Sequence, residues 1–377
     1  MKIGVPMERT AGERRVAVAP AQTGELEKAG LQVLVERGAG VRSGYPDKLY
    51  EERGATLVDD VYAESDVVLA VRAAAANGDS GASRVREGQT IIGFLEPYAP
   101  HDAFRELVEK KATSLSMELI PRITRAQSMD ALSSMANLAG YRAAILAAEA
   151  LPRMFPMMMT AAGTIVPARL FIVGVGVAGL QAIATTRRLG AVVSAYDVRP
   201  AVKEQVESLG ARFVEMELTT QDAEGTGGYA RAMDEEFYRK QRELMTSVVS
   251  ESDGVITTAA IPGKPSPVLV TEEMVRQMKP GSVIVDLAAE RGGNCELTEP
   301  GKTVEKHGVT ITGPLNIPSA LAFNASQLYS KNITTFFLSL VKEGNLVLDQ
   351  EDEIVQATLV TRAGTVPNSE LKERLGL

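Results

Sequence analysis

The chain has 377 residues, of which 45% are hydrophobic and 23% charged, and its formal net charge is −8 at pH 7. This length exceeds one ordinary hydrophobic core and predicts two domains, while the negative charge argues against a nucleic-acid partner. A single cysteine, Cys295, excludes an intrachain disulfide and favours a reducing cytoplasm. The sequence contains no run of about 20 uncharged apolar residues, so we expect no membrane-spanning helix.

The first third of the chain alternates short apolar runs with helix-like stretches. Strands are predicted at Lys2–Val5, Gln32–Val35, Val67–Val71, Thr90–Phe94 and Thr113–Met117. Between the first two, Pro20 and Gly30 mark the start and the end of a helix. This alternation predicts a parallel sheet with helices on both faces.

A polar stretch follows the last of these strands. Between residues 122 and 133 it contains two cations, an amide, a carboxylate and several hydroxyls: Arg122, Arg125, Gln127, Ser128, Asp130 and Ser133. Such a loop can hydrogen-bond a nicotinamide carboxamide, pair Arg122 with Asp130 and leave Gln127 to reach outward. The alternative is a solvated helix start with Asp130 or Ser128 as its N-cap, and composition alone does not choose between the two.

An alanine-rich stretch at residues 134–155 has helical periodicity and is predicted to link the two domains. Three consecutive methionines, Met157 to Met159, follow it. They could form a soft binding surface, but packing in the core or between domains is favoured.

The strongest motif in the chain begins with the apolar run Leu170–Val173, which predicts a buried parallel strand. Gly174, Gly176 and Gly179 follow in GxGxxG spacing. In a dinucleotide-binding unit the first glycine permits the tight turn, the second lets the backbone approach a pyrophosphate, and the third packs the helix on the strand. A helix predicted to start near Val177 would direct its N–H groups at the phosphates.

An acidic residue follows the second strand of this motif. Val192–Tyr196 predicts that strand, and Asp197 stands at its end, about 20 residues after the glycines, where an acid accepts hydrogen bonds from the adenosine ribose. A carboxylate at this position repels a 2′-phosphate and favours NAD(H). Arg199 is the competing signal, since an arginine can accept that phosphate.

The same domain continues with a helix at 201–209 and strands at 212–214, 254–257, 283–286 and 309–312. A long polar insertion at about 217–240 carries Gly228 and Tyr229. Insertions of this length are usually lids, binding loops or disordered segments, so we interpret it as a lid that lays Tyr229 on a ligand, with a mobile surface loop as the alternative. The turn at 259–263 follows the carboxyl end of a strand, where open α/β sheets bind ligands.

A long helix predicted at 318–343 returns to the first domain, and the tail at 346–377 contains a hairpin-like stretch at 359–364 that completes it. The predicted fold is therefore α/β, with two Rossmann-like, doubly wound parallel-sheet domains joined by long helices. The first domain comprises residues 1–133 with 320–377, and the second residues 134–319.

Seven motifs of the chain belong to one pattern. They lie at residues 1–6, 12–17, 125–130, 157–164, 174–182, 203–210 and 262–265, and the Arg-Ala-Gln-Ser-Met-Asp run at 125–130 is the most specific. By these motifs the chain resembles, over nearly its whole length, the NAD(H)-binding alpha subunit (domain I) of the proton-translocating, Re/Si-specific NAD(P) transhydrogenase.

Alanine dehydrogenase, a relative of that family, is similar in its opening and its dinucleotide motif. That enzyme uses a histidine after one strand, a lysine in the preceding strand and an aspartate before a Gly-Gly pair. The corresponding positions here hold Glu96, Arg72 and Glu290. The obvious group for moving protons near neutral pH is then missing, and an arginine is always charged. A residue set for reducing an imine or keto acid is incomplete, and an alanine dehydrogenase-like oxidoreductase is the alternative interpretation.

The resemblance implies a role for each candidate residue. Arg122, Asp130 and Ser133 would orient the nicotinamide of NAD(H), with Arg125 also binding cofactor, and Gln127 would bridge toward the nicotinamide of NADP(H). The cofactor would also contact the three motif glycines, Gly174, Gly176 and Gly179. Its pyrophosphate and adenosine end would be held by Val177, Asp197, Val198 and Arg199. Tyr229, beside Gly228, would close on the cofactor with Gln241 at the base of the insertion, and Ala260 would line the turn over the nucleotide.

The resemblance also implies partners. NADP(H) would bind a separate subunit, and proton movement would pass through a membrane-spanning subunit. This chain would be a homodimer attached peripherally to the cytoplasmic face of the inner or plasma membrane. A different class of function, an NAD-dependent sensor, would need no group like Gln127 directed at a second cofactor.

Overall fold

The computed structural model describes residues 1–74, 81–99, 102–215, 235–260 and 263–377, with the backbone alone for 235–238. These residues form two compact units. The first unit is Met1–Met135 with Pro318–Leu377, and the second unit is Ala136–Ile317.

The strands lie largely where the apolar runs predict them. In chain order they are β1 (Lys2–Val5), β2 (Gln32–Glu36), β3 (Thr56–Val58), β4 (Val67–Arg72), β5 (Thr90–Phe94), β6 (Thr113–Ser116), β7 (Met158–Thr160), β8 (Gly163–Ile165), β9 (Arg169–Val173), β10 (Val192–Tyr196), β11 (Arg212–Phe213), β12 (Gly254–Thr257), β13 (Val283–Asp286), β14 (Thr303–Lys306), β15 (Val309–Thr312), β16 (Val341–Lys342), β17 (Asn345–Leu346) and β18 (Leu359–Thr361).

The helices alternate with these strands through most of both units. They are α1 (Pro20–Lys28), α2 (Asp47–Glu51), α3 (Val61–Glu64), α4 (Ala103–Glu109), α5 (Ala131–Ala150), α6 (Val177–Arg188), α7 (Lys203–Ser208), α8 (Glu235–Glu251), α9 (Glu272–Arg276), α10 (Ile317–Ala320), α11 (Ala322–Ser339), α12 (Glu353–Thr358) and α13 (Ser369–Leu375).

The sheet of the first unit has the order β18-β6-β5-β4-β1-β2-β3. Its neighbours are parallel except β18, which runs antiparallel to β6. Every residue of β5 is buried, as are all but the last of β4. Such continuous burial is typical of parallel strands that are covered on both faces.

The sheet of the second unit has the order β11-β10-β9-β12-β13-β15-β14, which matches the first sheet for the first five strands of each unit. Its last strand, β14, is again the antiparallel one. In each unit the first strand lies beside the fourth, so the strand order reverses between them, β1 beside β4 and β9 beside β12. The predicted doubly wound, Rossmann-like fold is confirmed for both units.

Two edge strands, β3 and β14, escape prediction from the sequence. β3 has three residues, of which only the last is buried, and the four residues of β14 alternate between exposed and half-buried. Short edge strands with a solvated face lack the apolar run that marks an interior strand. The pairing of β3 with β2 and of β14 with β15 completes the two sheets.

The prediction that the methionine run packs in a core is wrong. β7 and β8 pair only with each other as a small antiparallel sheet, in which every residue is exposed. Met157, Met158 and Met159 are 63%, 41% and 77% exposed. The run belongs to a two-stranded hairpin too short to bury an apolar face.

Two predicted element boundaries also change. α8 begins at Glu235, so the last part of the expected 217–240 insertion is helical, and residues 216–234 lie outside the described part of the chain. The helix predicted at 318–343 is two helices, α10 and α11, and α11 ends at Ser339 before the turn at Gly344, where φ is +74°. Across the described residues, no helix combines the length and hydropathy that crossing a membrane requires.

Candidate functional site

The glycine turn after β9 is built so that two of its glycines cannot be replaced without a clash. Gly174 has φ +90°, and a Cβ there would lie 2.8 Å from Thr258 Oγ1 and 3.0 Å from Ala259 N. A Cβ on Gly179 would lie 2.0 Å from the carbonyl oxygen of Gly174. The first and third glycines therefore hold the start of α6 against the end of β9, as the spacing predicts.

Gly176 differs from the other two glycines of the motif, because it is exposed and a Cβ there would meet no protein atom within 4 Å. It is the N-cap of the 12-residue helix α6, which starts at Val177 as predicted and has no side-chain hydrogen bond at its cap. The first N–H groups of α6 are thus not capped by a side chain, and the positive end of the helix dipole lies beside an open glycine. This is the arrangement that binds a phosphate group.

Asp197, at the end of β10, braces this turn. Its Oδ2 accepts a hydrogen bond from Val175 N at 2.7 Å, and its two oxygens also accept from Arg199 N, Nε and Nη2 at 2.8–2.9 Å. A carboxylate offers about four lone-pair sites, so these four donors use all of them. Arg199 Nη2 further donates to Val175 O at 3.2 Å. The acid predicted to bind a ribose is held here within a protein network.

Val198 lies between these two residues in the sequence and is half-buried against the core of the second unit. Only its charged neighbours therefore lie in the network that reaches the glycine turn. Of the predicted adenosine-end residues, the structure brings Asp197 and Arg199 to Val175 through direct contacts.

The turn after β12 is tied to the glycine turn. Thr258 Oγ1 donates a hydrogen bond to Gly174 O at 2.9 Å. Ala260, the predicted lining residue, is exposed two positions further on. The two turns follow β9 and β12, the strands between which the strand order reverses, and a doubly wound sheet binds its ligands at that point.

Asn294 is a residue that sequence reasoning missed. Its side chain is fully buried and brackets Ala259: Oδ1 accepts from Ala259 N at 2.9 Å, and Nδ2 donates to Ala259 O and to Pro267 O at 2.8 Å. Its backbone N–H donates in turn to Asp286 Oδ2 at 2.7 Å. The amide therefore fixes the turn that carries Ala260, through contacts 35 residues apart in sequence.

Asp286 ends β13 and organises the segment that carries Asn294. It is fully buried and accepts hydrogen bonds from Thr257 Oγ1, Ala288 N, Cys295 N and Thr298 Oγ1 in addition to Asn294 N. Cys295 is buried beside it, and burial raises the pKa of its thiol to about 11. The single cysteine is thus a packed neutral thiol, as expected for a structural residue.

Gln241, predicted at the base of the insertion, lies on α8 and is buried. Its Nε2 donates to Tyr196 Oη at 3.0 Å, and burial raises the pKa of that phenol to about 12. The amide therefore joins α8 to the end of β10, directly before Asp197. The two predicted lid residues, Gly228 and Tyr229, lie outside the described residues.

The polar stretch of the first unit forms a 3-10 helix at Thr124–Met129, directly before α5. Ala126 and Met129 are buried, while Gln127 is exposed. The N-cap interpretation of Asp130 is confirmed, since its Oδ1 accepts from Ser133 N at 2.9 Å. Its Oδ2 accepts from Ser133 Oγ at 2.6 Å, so two of the predicted residues are in contact.

Arg125 has a partner far away in the sequence. Its Nη1 and Nη2 donate to Asp352 Oδ2 and Oδ1 at 3.1 and 2.6 Å, and Glu353 Oε1 lies 3.5 Å from Nη2. On the other side of Gln127, Asn332 Nδ2 donates to Ser128 O at 2.9 Å. The prediction that Arg125 contacts a cofactor stays a prediction, and its guanidinium is bonded to carboxylates of the same unit.

The three positions that differ from alanine dehydrogenase hold charged groups with partners within their own units. Arg72 Nη1 donates to Glu96 Oε1 at 2.8 Å. Glu290 Oε1 accepts from Asn316 N at 2.5 Å. Among the described residues no group of histidine, cysteine, aspartate and glutamate side chains is arranged to hold a metal ion.

Comparisons with known proteins decide the family. Residues 4–139 match the model of the alanine dehydrogenase/PNT N-terminal domain, and residues 143–369 match that of the C-terminal domain. The chain belongs to the alanine dehydrogenase/PNT family.

Within this family the chain is similar to transhydrogenase subunits. It is 50% identical over 374 residues to the first part of NAD(P) transhydrogenase subunit alpha of Rhodospirillum rubrum, with 97% of each chain covered. The crystal structure of transhydrogenase from Sinorhizobium meliloti has a TM-score of 0.88 and 48% identity, covering 97% of this chain and 100% of that one. Alanine dehydrogenase of Bacillus subtilis is 28% identical, covering 100% of this chain and 95% of that enzyme.

The predicted resemblance to transhydrogenase alpha subunits, with alanine dehydrogenase as a relative, is confirmed. The chain is thereby a member of a family of oxidoreductases with NAD-binding, Rossmann-like domains. The open glycine turn of the second unit is the part of the described structure that suits a nucleotide cofactor.

Proposed function

We propose that this protein is the NAD(H)-binding subunit of a proton-translocating, Re/Si-specific NAD(P) transhydrogenase. Hydride passes between NAD(H) on this chain and NADP(H) on a partner subunit. The observation that carries the proposal is the glycine turn of the second unit, where open Gly176 stands at the uncapped start of α6 beside the Asp197 network.

The residues around this turn suit a dinucleotide. Gly176 leaves room for the backbone to approach a pyrophosphate, and the first N–H groups of α6, from Val177 to Gly179, supply donors to it. The turn after β12, with exposed Ala260, lies at the same edge and would line the nucleotide. Gly228 and Tyr229 would close over the cofactor, with Gln241 and its Tyr196 contact at the base of that lid.

The Asp197 network supports NAD(H) over NADP(H) on this chain. The carboxylate would repel a 2′-phosphate. Arg199, the residue that could offset this repulsion, has its Nε and Nη2 bonded to that carboxylate. Because these four donors use the lone pairs of Asp197, a ribose hydroxyl would bind the carboxylate only by replacing one of them. Titration with both cofactors tests this preference, and tighter binding of NADPH than of NADH would contradict it.

The 3-10 helix of the first unit supplies the groups proposed for the nicotinamide end. Arg122, Asp130 and Ser133 would hold and orient the carboxamide, and the Asp130–Ser133 hydrogen bonds fix two of these side chains relative to each other. Exposed Gln127 would reach toward the NADP(H) nicotinamide.

The task of the protein's own residues is orientation and the exclusion of water. Bound nicotinamide supplies the hydride chemistry, and direct transfer between two nicotinamides moves no proton in the chemical step. The chain has only two histidines, and Arg72 and Glu96 are bonded to each other. A site that moves no proton needs no general acid or base.

We further propose the assembly that the predictions describe. The two domains of the chain are residues 1–133 with 320–377 and residues 134–319. The chain forms a homodimer, for which the exposed apolar side chains of the β7–β8 hairpin are a suitable surface. Proton movement is carried by a membrane-spanning partner, so the complex is attached to the cytoplasmic face of the membrane.

The second candidate function is an alanine dehydrogenase-like oxidoreductase, favoured by the shared family and by the common fold. Glu96, Arg72 and Glu290 stand against it, because they replace the histidine, lysine and aspartate that alanine dehydrogenase uses at these positions. An NAD-dependent sensor is the third, and replacement of Gln127 would leave the function of a sensor intact.

The decisive experiment measures hydride transfer from NADH to an oxidised NADP analogue, using the full chain with a separately prepared NADP(H)-binding subunit. A parallel reaction offers NADH, pyruvate and ammonia to the full chain alone. We expect transfer only in the presence of the partner and no reduction of pyruvate. If the mixture with the partner subunit shows no hydride transfer while the chain alone reduces pyruvate, the proposal is overturned in favour of the dehydrogenase.

Replacement Gln127→Asn tests the bridging role. The shorter amide should slow hydride transfer, while the NADH dissociation constant barely changes, because the side chain is proposed to act toward the second cofactor. Rapid-mixing rates and NADH titration measure the two effects separately. Equal losses in rate and in affinity would contradict the role.

A further inference from the structure

We propose that Asp352 and Asn332, both in the C-terminal segment of the first unit, are positioning residues for Gln127. They would act by fixing the 3-10 helix on either side of it. This inference rests on the proposed function, in which Gln127 reaches toward the second cofactor.

The first anchor lies two residues before Gln127. The guanidinium of Arg125 donates two hydrogen bonds to the carboxylate of Asp352, at 2.6 and 3.1 Å. A bidentate pair fixes orientation as well as distance, because the planar fork of arginine matches the two carboxylate oxygens. The Arg125 hydrogen bonds hold the pKa of Asp352 below its usual range, so the pair is ionised at neutral pH.

Asp352 is itself held in place. It is the N-cap of α12, where its Oδ1 accepts from Ile354 N at 2.7 Å, and Ile354 and Val355 are buried in the first unit. The carboxylate therefore reaches Arg125 from a fixed helix start. This matters because a pair between two mobile side chains would fix nothing.

The second anchor lies one residue after Gln127. Asn332 is on α11, is only 6% exposed, and donates to Ser128 O at 2.9 Å. α11 packs against the same 3-10 helix, whose buried Ala126 and Met129 face the interior. The backbone is thus held from both sides, while the Gln127 side chain between the anchors is exposed.

Such support has a purpose because the exposed side chain of Gln127 depends on its backbone for its direction. The six residues of this 3-10 helix exceed the usual length of about three to four residues for this poorly bonded structure. Misplacement of a reacting group by about 1 Å can cost on the order of a hundredfold in rate. Residues distant in sequence that fix this segment therefore bear on hydride transfer without contacting a cofactor.

The test uses Asp352→Asn and Arg125→Gln in the full chain with the NADP(H)-binding subunit. Asparagine is as good an N-cap as aspartate, so Asp352→Asn keeps α12 capped. It removes the charge of the pair and one of the two oxygens that accept from Arg125. We expect hydride transfer at saturating cofactors to slow by about two- to fivefold, the range of an exposed ion pair. For Asp352→Asn the NADH dissociation constant should stay at the wild-type value, and the unfolding midpoint should fall by no more than the loss of one exposed ion pair allows.

The double variant Arg125→Gln with Asp352→Asn shows whether the two residues act through one contact. If they do, its rate equals that of either single variant, since the second change removes nothing more. Arg125→Lys, which keeps the charge but loses the bidentate geometry, should recover part of the rate. Asn332→Ala, which removes the donor to Ser128 O, should slow transfer further when combined with Asp352→Asn.

Glu370→Gln is the matched control, because Glu370 pairs with Arg374 at 2.8 Å in an exposed ion pair of the same C-terminal segment. It should leave the rate unchanged. Wild-type transfer rates in both single variants, or multiplicative losses in the double variant, would overturn the positioning role. A wild-type chain that transfers no hydride to the partner would instead overturn the proposed function, so the two failures are distinguishable.

Discussion

The two units share the order of their first five strands, but they differ at the place where that order reverses. In the second unit, β9 and β12 end in turns joined by the hydrogen bond from Thr258 Oγ1 to Gly174 O, with Gly176 left open beside them. In the first unit, the segment after β1 carries Glu8, whose carboxylate accepts from Val71 N at 2.6 Å and Arg72 N at 3.2 Å, at the end of β4.

Other charged side chains of the first unit also pair with one another in this region. Arg15 and Glu13 form a buried bidentate pair at 2.7–2.8 Å, and Arg72 bonds to Glu96. Burial alone would raise the pKa of Glu13, but the hydrogen bonds and charge of Arg15 outweigh it and lower that pKa to about 2. A shared order of the first five strands therefore does not make a nucleotide site. The turns that follow the strands decide.

The largest expected effect comes from Gly179→Ala, which disrupts the packing of α6 on β9 at the glycine turn of the second unit. The new Cβ would lie 2.0 Å from Gly174 O, a backbone atom that cannot rotate away. We expect the free energy of unfolding to fall by about 3 kcal/mol, at the upper end for overpacking. Urea denaturation measures it, and an unchanged midpoint would show that α6 shifts freely on β9.

Glu8→Gln tests, through the pH dependence of stability, whether a buried acid closes the end of β4 in the first unit. Burial, followed by the charge of Glu13, raises the pKa of Glu8 from 4.5 to about 7, so the folded chain holds this proton more tightly than the unfolded chain. The cost of ionising Glu8 is absent below pH 4.5, grows between pH 4.5 and 7, and is complete above pH 7. Glutamine cannot ionise and escapes this cost.

The stability of Glu8→Gln relative to wild type should therefore improve as the pH rises through this window, by up to about 3 kcal/mol at 1.36 kcal/mol per pKa unit. Urea unfolding of both proteins across the pH range measures the difference. Any constant loss from the changed hydrogen bonds drops out of the comparison. Parallel stability curves would show that Glu8 ionises normally and that the end of β4 is not closed by a buried acid.

Asn294→Ala tests whether the turn after β12 depends on the buried side chain that hydrogen-bonds Ala259. The change leaves Ala259 N, Ala259 O and Pro267 O without their side-chain partner in a buried segment. We expect the free energy of unfolding to fall by about 2 kcal/mol and NADH to bind more weakly, since unmet buried polar groups cost about 1–3 kcal/mol. Calorimetric titration measures the NADH affinity, and urea denaturation measures the free energy of unfolding. Unaltered NADH affinity would show that the turn after β12 is not part of the cofactor site.

The smallest effect on the fold is expected for Gly176→Ala. No atom lies within 4 Å of the new Cβ, and φ at this position suits alanine, so the unfolding midpoint should stay constant. NADH affinity should nevertheless fall by about tenfold, or 1.4 kcal/mol, because the methyl group occupies the approach to the pyrophosphate. Unchanged affinity would mean that the cofactor does not use this turn.

What the sequence predicted correctly depends on local patterns. The glycine turn, the start of α6 and the strand that ends before Asp197 lie within one short stretch, whose spacing follows from one βαβ unit. The buried parallel strands carry continuous apolar runs, and strand–helix alternation leads from them to the doubly wound sheets. These features need no knowledge of distant residues.

What escaped prediction depends on contacts between distant residues. Asn294 meets Ala259 across 35 residues, Glu8 meets Val71 across 63, and Arg125 meets Asp352 across 227. A polar side chain gives no local sign of which backbone group it will reach. The methionine run misled for a related reason, because apolar residues at 157–159 are ordinary core candidates until the pairing of β7 with β8 alone is known.

Strand β18 completes the sheet of the first unit but is synthesised after the whole second unit. It pairs with β6, through Leu359 opposite Leu115, and Thr361 and Ser114 share a buried hydrogen bond at 2.7 Å. The second unit, Ala136–Ile317, is continuous and has been synthesised before these residues are added. The nascent chain thus passes through a stage in which the middle of the sequence can be folded while the β6 edge is still unpaired, and an unpaired edge invites association with other strands.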